Sequence, residues 1–159
     1  MENKKDNILS NPLKVLLAED KAEIRALLLL YLARANAVCK AVTNGSQVLS
    51  ALKQDNYDLI LMDMEMPIMN GLTAVIKLRA LGYKRPIFAL TANSGQYAKE
   101  ACLHAGCNGY ICKPVNPKEL NALVARFSLE KFNLEKSIEL ETNNNASIVD
   151  PYQHGVYFN

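Results

Sequence analysis

Polar residues of complementary chemistry follow four short apolar runs that are widely separated in the sequence. In chain order they are Glu19 and Asp20 after residues 13–18, Asp63 after 59–62, Thr91 after 86–90, and Lys113 after 110–112. Together they supply three carboxylates, one hydroxyl and one ammonium group. Phosphoryl transfer depends on positioning and on neutralising charge, and these groups can provide both. The set therefore indicates one phosphoryl-transfer site.

The four runs predict strands that are buried on both faces, because each is short, continuous and bounded by strand-breaking residues. Helical spacing of apolar residues fills the intervals between them. After Asp20, for example, the helical set is Ile24, Leu27, Leu28, Tyr31 and Leu32. With a further short strand at 38–42, five strands alternate with five helices from Leu13 to about Leu129. This alternation predicts an α/β fold, a doubly wound sandwich around a parallel sheet.

The predicted sheet brings the polar groups together. In an open parallel sheet, ligands bind in the crevice at the carboxyl ends of the strands. We therefore expect Glu19, Asp20 and Asp63 to share one cleft, where like charges strongly raise one pKa unless a cation compensates them. A hard divalent ion with oxygen ligands does so, and Mg²⁺ suits an open site shared with phosphate. The predicted cofactor is Mg²⁺, with Mn²⁺ as the alternative.

Each of these residues also has an ordinary structural interpretation. Asp20 alone could cap the helix that follows it, and Asp63 alone could cap a loop. Lys113 could be a surface lysine with a buried stem, and the Thr91 hydroxyl could bond its own backbone. The occurrence of all four at strand ends favours the functional interpretation.

The composition is that of one globular domain without a strong charge bias. The chain has 159 residues, of which 50% are hydrophobic, 18 are Lys or Arg and 16 are Asp or Glu. This balance gives no electrostatic case for nucleic-acid binding. No apolar stretch reaches transmembrane length, and the polar start at residues 1–7 lacks the apolar segment of a signal peptide. We expect a soluble, cytoplasmic protein without membrane insertion.

The four cysteines raise the question of a zinc site. Cys102, His104 and Cys107 lie close together, but their spacing matches no standard pair of ligand pairs and a fourth ligand is missing. Cys39 and Cys112 fall inside predicted strands. Reduced thiols, in the core or at the surface, are therefore the preferred interpretation.

The two flanks differ from the central part of the chain. Residues 1–12 are polar and predict a flexible N-terminal arm. We place the domain at residues 13–130 and a C-terminal tail at 131–159, partly disordered or packed on the domain. Within the tail, the Thr-Asn-Asn-Asn run at 142–145 predicts a break in any helix, and an apolar-aromatic segment follows at 148–158.

Five motifs, taken in order, resemble those of a receiver domain of two-component signalling, and most closely the receivers of hybrid histidine kinases. The motifs are Leu16-Leu17-Ala18-Glu19-Asp20, Met62-Asp63-Met64-Glu65-Met66-Pro67, Asn70-Gly71, Ala89-Leu90-Thr91-Ala92 and Tyr110-Ile111-Cys112-Lys113-Pro114. One such motif is weak evidence, whereas five at the right spacing are highly specific. The resemblance covers about three quarters of the chain. It implies a flavodoxin-like (βα)5 three-layer sandwich with a parallel sheet of strand order 2-1-3-4-5.

The resemblance also implies a phosphoacceptor and a set of metal ligands. Asp63 would be the nucleophile that takes a phosphoryl group as an acyl phosphate. Asp20 and Asp63 would bind the metal directly. Glu19 would act through water, and Glu65 would contribute its backbone carbonyl.

Residues near the last two strands would hold the phosphoryl group. Lys113 would place a positive charge on its oxygens, with the Thr91 hydroxyl and the Ala92 backbone N–H as further donors. A cis peptide bond between Lys113 and Pro114 is implied, which would aim the lysine over the cleft. Thr91 and Tyr110 match the switch pair of the family, in which the threonine moves toward the phosphoryl group and the aromatic ring fills the vacated space. The alternative for Tyr110 is a strand aromatic packed in one rotamer.

The implied partners are a sensor histidine kinase or a histidine phosphotransfer protein, with a homodimer as an open alternative. The first helix offers a docking surface, because Leu29 and Leu30 are predicted to point outward beside Ala26 and Ala33. The tail of the chain is the alternative cover for this surface. Such a chain would not be an enzyme with an external substrate. It would catalyse only its own phosphorylation and dephosphorylation, alone or as the receiver part of a hybrid kinase.

Three other functions fit parts of the pattern. A haloacid-dehalogenase-like phosphatase also has a strand-end Asp nucleophile, but its other metal acids follow the lysine, whereas Glu19 and Asp20 precede Asp63. A flavodoxin-like nucleotide or flavin binder is disfavoured because the first loop, at 19–23, is acidic and has no glycine. A degenerate receiver that no longer accepts phosphate is the third, and the intact acids and lysine argue against it.

Overall fold

The computed structural model describes residues 11–146 and shows five parallel strands that alternate with five helices. The strands are β1 (Lys14–Ala18), β2 (Val38–Val42), β3 (Leu59–Asp63), β4 (Ile87–Thr91) and β5 (Gly109–Cys112). The helices are α1 (Ala22–Arg34), α2 (Gly45–Gln54), α3 (Gly71–Ala80), α4 (Gln96–Ala105) and α5 (Pro117–Ala146). The strand order is β2-β1-β3-β4-β5, which confirms the predicted doubly wound α/β fold.

Helices cover both faces of the sheet, so the central strands are buried on both sides. Every residue of β3 and β4 is buried. Leu16 and Ile60 belong to the core cluster under α2, α3 and α4, whereas Leu17 and Leu61 belong to the cluster under α1 and α5. Successive strand residues point to opposite faces, and a two-sided core therefore requires the continuous apolar runs found in the sequence.

Asparagine caps define where two of the helices begin. Asn44 Oδ1 accepts a hydrogen bond from the Gln47 backbone N–H at 3.0 Å, and Asn70 Oδ1 accepts one from the Thr73 N–H at 2.8 Å. Each bond satisfies a backbone N–H that has no partner inside the first turn. Because Asn70 fixes the start of α3, it also limits the length of the loop that follows Asp63.

The face of α1 that contacts the core differs in part from the prediction. Leu28 and Leu32 are buried as expected, but Leu27 is 46% exposed, and Leu29 is half-buried and packs against the core. The expectation that Leu29 points outward is therefore wrong, whereas Leu30 is exposed. Leu27 and Leu29 each lie about 100° around the helix from Leu28, so periodicity alone does not decide which of them faces the sheet.

Helix α5 is longer than covering the sheet requires. Leu120, Val124 and Phe127 pack into the core, and the helix then continues to Ala146. The predicted helix break at 142–145 is wrong, because asparagine lowers helix stability without excluding the helical conformation as proline does. Although α5 has 30 residues, no helix in residues 11–146 is both long enough and apolar enough to span a membrane.

Lys131 attaches the extended part of α5 to the amino end of the sheet, which lies opposite the predicted site. Its Nζ lies 2.9 Å from Asp58 Oδ2 and 3.1 Å from the Pro12 carbonyl oxygen. The first ten residues of the predicted arm and the apolar-aromatic segment at 148–158 lie outside the described residues.

Candidate metal and phosphoryl-transfer site

The sheet topology brings the predicted site residues to one edge. The carboxyl ends of four neighbouring strands carry Glu19, Asp63, Thr91 and Lys113. The strand register keeps these ends level, since Asp63 pairs with Leu90 and Thr91 pairs with Cys112. One residue further on, the Lys113 backbone N–H donates to the Thr91 carbonyl at 2.8 Å.

Three carboxylates form a cluster in this cleft. One oxygen from each of Glu19, Asp20 and Asp63 lies within 4.8 Å of the other two. Glu19 is fully buried and Asp63 is 3% exposed, so water screens their charges poorly. A group of like charges in this environment needs a compensating cation.

Lys113 supplies one compensating charge. Its Nζ lies 2.7 Å from Glu19 Oε2 and 3.1 Å from Asp63 Oδ1. Burial alone would lower the pKa of Lys113, but the contact with Glu19 and the charge of Asp63 outweigh burial and raise it. The ammonium group therefore stays charged, and one positive charge against three carboxylates leaves the cleft negative.

The Asp63 carboxyl group is held in an environment that disfavours its anion. Burial raises the pKa of Asp63 to about 6, and the charge of Glu19 adds to the rise. The Glu65 backbone N–H, which donates to Asp63 Oδ1 at 3.1 Å, and the Lys113 ammonium group oppose this rise. At neutral pH the carboxylate is still the main form, so a nucleophilic oxygen is available.

The donor set fits a hard divalent cation. All three side-chain ligand candidates are carboxylates, whose oxygens Mg²⁺ prefers. Asp20 Oδ1 is buried, and no described residue donates a hydrogen bond to it. A buried oxygen without a partner costs free energy, and a bound cation would remove that cost. Glu19, Asp20 and Asp63 are therefore suited to hold a metal, and the Glu65 carbonyl, predicted as a further ligand, follows in the same loop.

The Thr91 side chain is bonded within its own loop. Its hydroxyl donates to the Asn93 carbonyl at 3.1 Å and accepts from the Asn93 backbone N–H at 3.1 Å. Thr91 is 5% exposed, whereas Ala92 next to it is exposed. The ordinary structural interpretation of Thr91, a hydroxyl bonded to nearby backbone, therefore describes its position here. Any movement of the hydroxyl toward Asp63 must break these bonds.

Two further predicted features lie in β5 or directly after it. The peptide bond between Lys113 and Pro114 is cis, the isomer that the resemblance implies. Tyr110 is half-buried and packs against the core cluster under α4. The Lys99 ammonium group lies 5.0 Å from the centre of its ring.

Arg25 has a role that the sequence analysis missed. Its Nη1 donates to the backbone carbonyls of Glu19 at 3.0 Å and of Asp20 at 3.1 Å. These bonds hold the loop that carries two ligand candidates through its backbone and do not occupy the carboxylate oxygens of Glu19 or Asp20. A basic residue near the start of a helix is too common in sequences to indicate this role.

Gly71 matters because of the space that it leaves. A Cβ atom at this position would lie 2.1 Å from the Asp63 carbonyl oxygen, far inside any allowed contact. The Gly71 N–H also donates to the Met64 carbonyl at 3.1 Å. In the sequence Asn70-Gly71 is one motif of the resemblance, but the close approach of Gly71 to Asp63 depends on tertiary structure.

The candidate zinc ligands Cys102, His104 and Cys107 do not come together as a metal-ligand cluster. Cys102 and Cys107 are buried free thiols, and His104 is exposed. Burial raises the pKa of Cys107 to about 12, which keeps it a thiol. Within residues 11–146, the three acids of the cleft are the one group of three or more His, Cys, Asp or Glu side chains placed closely enough to hold a metal.

Comparison with known proteins gives the family. Residues 15–125 match the family model of the response regulator receiver domain. The chain is 34% identical over 125 residues to the autoinducer 2 sensor kinase/phosphatase LuxQ of Vibrio vulnificus. That alignment covers 78% of this chain and 15% of LuxQ, so the chain spans a small part of the kinase's length.

Solved structures agree with this assignment. One match is the receiver domain of the sensor histidine kinase PA1611 from Pseudomonas aeruginosa, which was crystallised with a magnesium ion coordinated in its active site cleft. Its TM-score is 0.68 and its sequence identity is 33%, and the match covers 74% of this chain and 98% of that chain. A second match comes from the co-crystal structure of the Saccharomyces cerevisiae histidine phosphotransfer protein Ypd1 with the receiver domain of Ssk1. Its TM-score is 0.70 and its sequence identity is 30%, and the match covers 76% of this chain and 91% of that chain. Fold, sequence match and structural neighbours lead to one conclusion: the chain belongs to the response regulator receiver domains of two-component signalling.

Proposed function

We propose that Asp63 accepts a phosphoryl group from a histidine kinase or a histidine phosphotransfer protein, and that the chain relays the signal by conformational change or phosphorelay. The position of Lys113 is the observation that carries this proposal. Its ammonium group lies 3.1 Å from Asp63 and 2.7 Å from Glu19, so a fixed positive charge borders the acid cluster where a phosphoryl group would arrive.

The proposed transfer forms one bond and breaks one bond. An oxygen of the Asp63 carboxylate attacks phosphorus while the bond from phosphorus to the donor's imidazole nitrogen breaks. The products are an acyl phosphate on Asp63 and a free histidine on the donor. Lys113 neutralises part of the charge on the phosphoryl oxygens, and the Thr91 hydroxyl and the Ala92 N–H donate to them from the neighbouring strand end.

Metal binding falls to the acids of the cleft. Asp20 and Asp63 would hold the ion directly and Glu19 through water, with the Glu65 backbone carbonyl as a further ligand. When bound, Mg²⁺ or Mn²⁺ supplies the positive charge that lets another anion enter an already negative cleft. The magnesium ion in the cleft of the PA1611 receiver supports this choice of metal.

The exposed face of α1 is the proposed docking surface for the phosphoryl donor. Leu27 and Leu30 are both substantially exposed, and the exposed Ala26 and Ala33 lie beside them. The helix begins at Ala22, two residues after Asp20, so a partner on this face lies close to the cleft. A receiver crystallised with the phosphotransfer protein Ypd1 supports this class of partner.

Acetyl phosphate with Mg²⁺, followed by intact mass, tests the phosphoacceptor. The wild type should gain the mass of one phosphoryl group, and Asp63→Asn should gain none. Asp55→Asn, which removes an exposed acid far from the cleft, should be labelled like the wild type. Label that persists in Asp63→Asn would place the phosphoacceptor elsewhere.

Docking is tested separately. Leu30→Asp should slow transfer from a phosphorylated phosphotransfer protein while leaving labelling by acetyl phosphate unchanged. Leu140→Asp changes an equally apolar, 64% exposed residue on α5 and should affect neither reaction. Equal transfer rates in the wild type and Leu30→Asp would remove α1 from the interface.

The phosphatase alternative has no support. The structure places Glu19 and Asp20 beside Asp63, and both acids precede the nucleophile in the sequence. We propose that the chain catalyses only its own phosphorylation and dephosphorylation, so it should not turn over a phosphate ester such as p-nitrophenyl phosphate.

The four free cysteines suit a reducing compartment, and we place the chain in the cytoplasm. Light scattering before and after phosphorylation would show whether it forms a homodimer.

A further inference from the structure

We propose that Lys99 holds the Tyr110 ring in its resting position and thereby restrains the conformational switch. The proposal rests on the function proposed above, because Tyr110 matters only if Thr91 responds to a phosphoryl group on Asp63. It assigns a positioning role to a residue on α4 that does not touch the phosphoryl site.

The contact between the two side chains is direct. Lys99 Nζ lies 5.0 Å from the centre of the Tyr110 ring, within the range over which an ammonium group is attracted by an aromatic face. Both residues are half-buried, so water weakens the attraction less than at an open surface. In the part of the chain that the structure describes, no carboxylate forms an ion pair with Lys99, and the adjacent Glu100 is bonded by Gln96.

A series of hydrogen bonds connects Lys99 to Thr91. The Thr91 hydroxyl donates to the Asn93 carbonyl, and Asn93 Oδ1 accepts from the Gly95 backbone N–H at 2.9 Å. The Gly95 carbonyl in turn accepts from the Lys99 backbone N–H at 3.2 Å. The loop that binds the Thr91 hydroxyl is therefore the loop that begins α4 and positions Lys99.

This arrangement couples the two halves of the switch. A Thr91 hydroxyl that turns toward a phosphoryl group gives up its bonds to Asn93 and frees the start of α4. The Lys99 side chain is then no longer held in place over the Tyr110 ring. Until that happens, the cation favours the ring position seen here, and a contact of this type shifts such an equilibrium by about two- to fivefold.

Variants at Lys99 separate its charge from its bulk. Lys99→Met keeps the length of the side chain and removes the charge, whereas Lys99→Arg keeps a cation. Labelling with 3-fluorotyrosine allows the ring to be followed by ¹⁹F NMR, with the Tyr110 signal assigned from Tyr110→Phe. Lys99→Met should shift the Tyr110 signal without any added ligand, and it should tighten binding of beryllofluoride with Mg²⁺ about two- to fivefold. Lys99→Arg should restore wild-type behaviour.

A double-mutant cycle shows whether Lys99 acts through the ring. In a Tyr110→Leu background, Lys99→Met should no longer change the beryllofluoride affinity, because the ring is gone. Equal tightening in that background overturns the proposal, and so does an unchanged Tyr110 signal and affinity in Lys99→Met alone.

The labelling experiment with acetyl phosphate distinguishes this proposal from the one on which it rests. If wild-type Asp63 takes no phosphoryl group, the proposed function fails, whatever the Tyr110 signal does. If Asp63 is labelled and Lys99→Met matches the wild type in both measurements, only the role of Lys99 fails.

Discussion

Lys113 Nζ lies closer to Glu19 Oε2, at 2.7 Å, than to the oxygen of the proposed nucleophile, at 3.1 Å. The residue expected to serve the phosphoryl group therefore also neutralises an acid that is fully buried. The Lys113 side chain is itself only 13% exposed, so the ammonium group and the Glu19 carboxylate each need the other as a counter-charge. One ion pair thus connects the stability of the cleft to its chemistry.

Lys113→Met should impair both properties. Loss of the ammonium group should slow labelling of Asp63 by acetyl phosphate by about 10²-fold or more, the usual effect of removing one preorganised positive or hydrogen-bonding group. It should also lower the free energy of unfolding by about 3 kcal/mol at neutral pH, because buried carboxylates lose their counter-charge. Lys118→Met, at an exposed lysine of α5, is the control for both measurements. Wild-type labelling kinetics in Lys113→Met would show that this lysine does not act on the phosphoryl group.

The raised pKa of Asp63 makes stability depend on pH. Its value is about 6 in the folded chain, against 3.8 for an ordinary aspartate, so the folded state binds this proton more tightly than the unfolded state. The resulting stabilisation is fully present below 3.8 and is lost as the pH rises through about 6. Thermal unfolding in the presence of a chelator should show the wild type gaining stability relative to Asp63→Asn as the pH falls through this window. A difference that does not change with pH contradicts the raised pKa.

The same titration should affect metal binding with the opposite sign. Protons and Mg²⁺ compete for the carboxylate oxygens, so Mg²⁺ affinity should increase from about pH 5 to about pH 7 and then level off. Calorimetric titration with MgCl₂ measures this directly. Asp58→Asn, at the other edge of the sheet, should show the same pH profile as the wild type.

Gly71→Ala should disturb the site without changing any charged group. The added Cβ would lie 2.1 Å from the Asp63 carbonyl oxygen, so the loop or α3 must shift. We expect a loss of about 1–3 kcal/mol in unfolding free energy and slower labelling of Asp63, since phosphoryl transfer depends on its position. Gly82→Asn is the matched control, because its side chain enters open space and asparagine tolerates the positive φ of 86°. Equal losses in both variants would mean that the close approach to Asp63 is unimportant.

Lys131→Met tests whether the extended part of α5 belongs to the folded domain. Lys131 and Asp58 are 19% and 17% exposed in their side chains, and their ion pair should contribute about 1–2 kcal/mol to the free energy of unfolding. Lys136→Met removes one partner of a more exposed ion pair on the same helix, where the effect should stay below about 1 kcal/mol. Urea unfolding of both variants provides the comparison. Similar small losses would indicate that the domain ends before Lys131.

The central strands could be predicted because they depend on a local rule. A strand covered by helices on both faces is apolar at every position, so the runs ending at Ala18 and Met62 are visible without any partner. Parallel strands end at a common edge, and this places Asp63, Thr91 and Lys113 in one cleft from their sequence positions alone.

Helix positions were harder to predict, because they depend on contacts with the rest of the fold. Leu27 and Leu29 are equivalent in the helical repeat around Leu28, and only the packing of α1 on the sheet distinguishes them. The helix through 142–145 likewise continues against the expectation from its polar composition.

The chemical identity of the site was thus determined by the sequence itself, because the residue types at strand ends specify which groups meet. Only the tertiary structure decided how those groups pair: Lys113 with Glu19, Arg25 with the carbonyls of the acid loop, and Lys99 with Tyr110. These pairings depend on side-chain distances of a few ångströms between separate elements of the fold. No periodicity or motif along the chain encodes such distances.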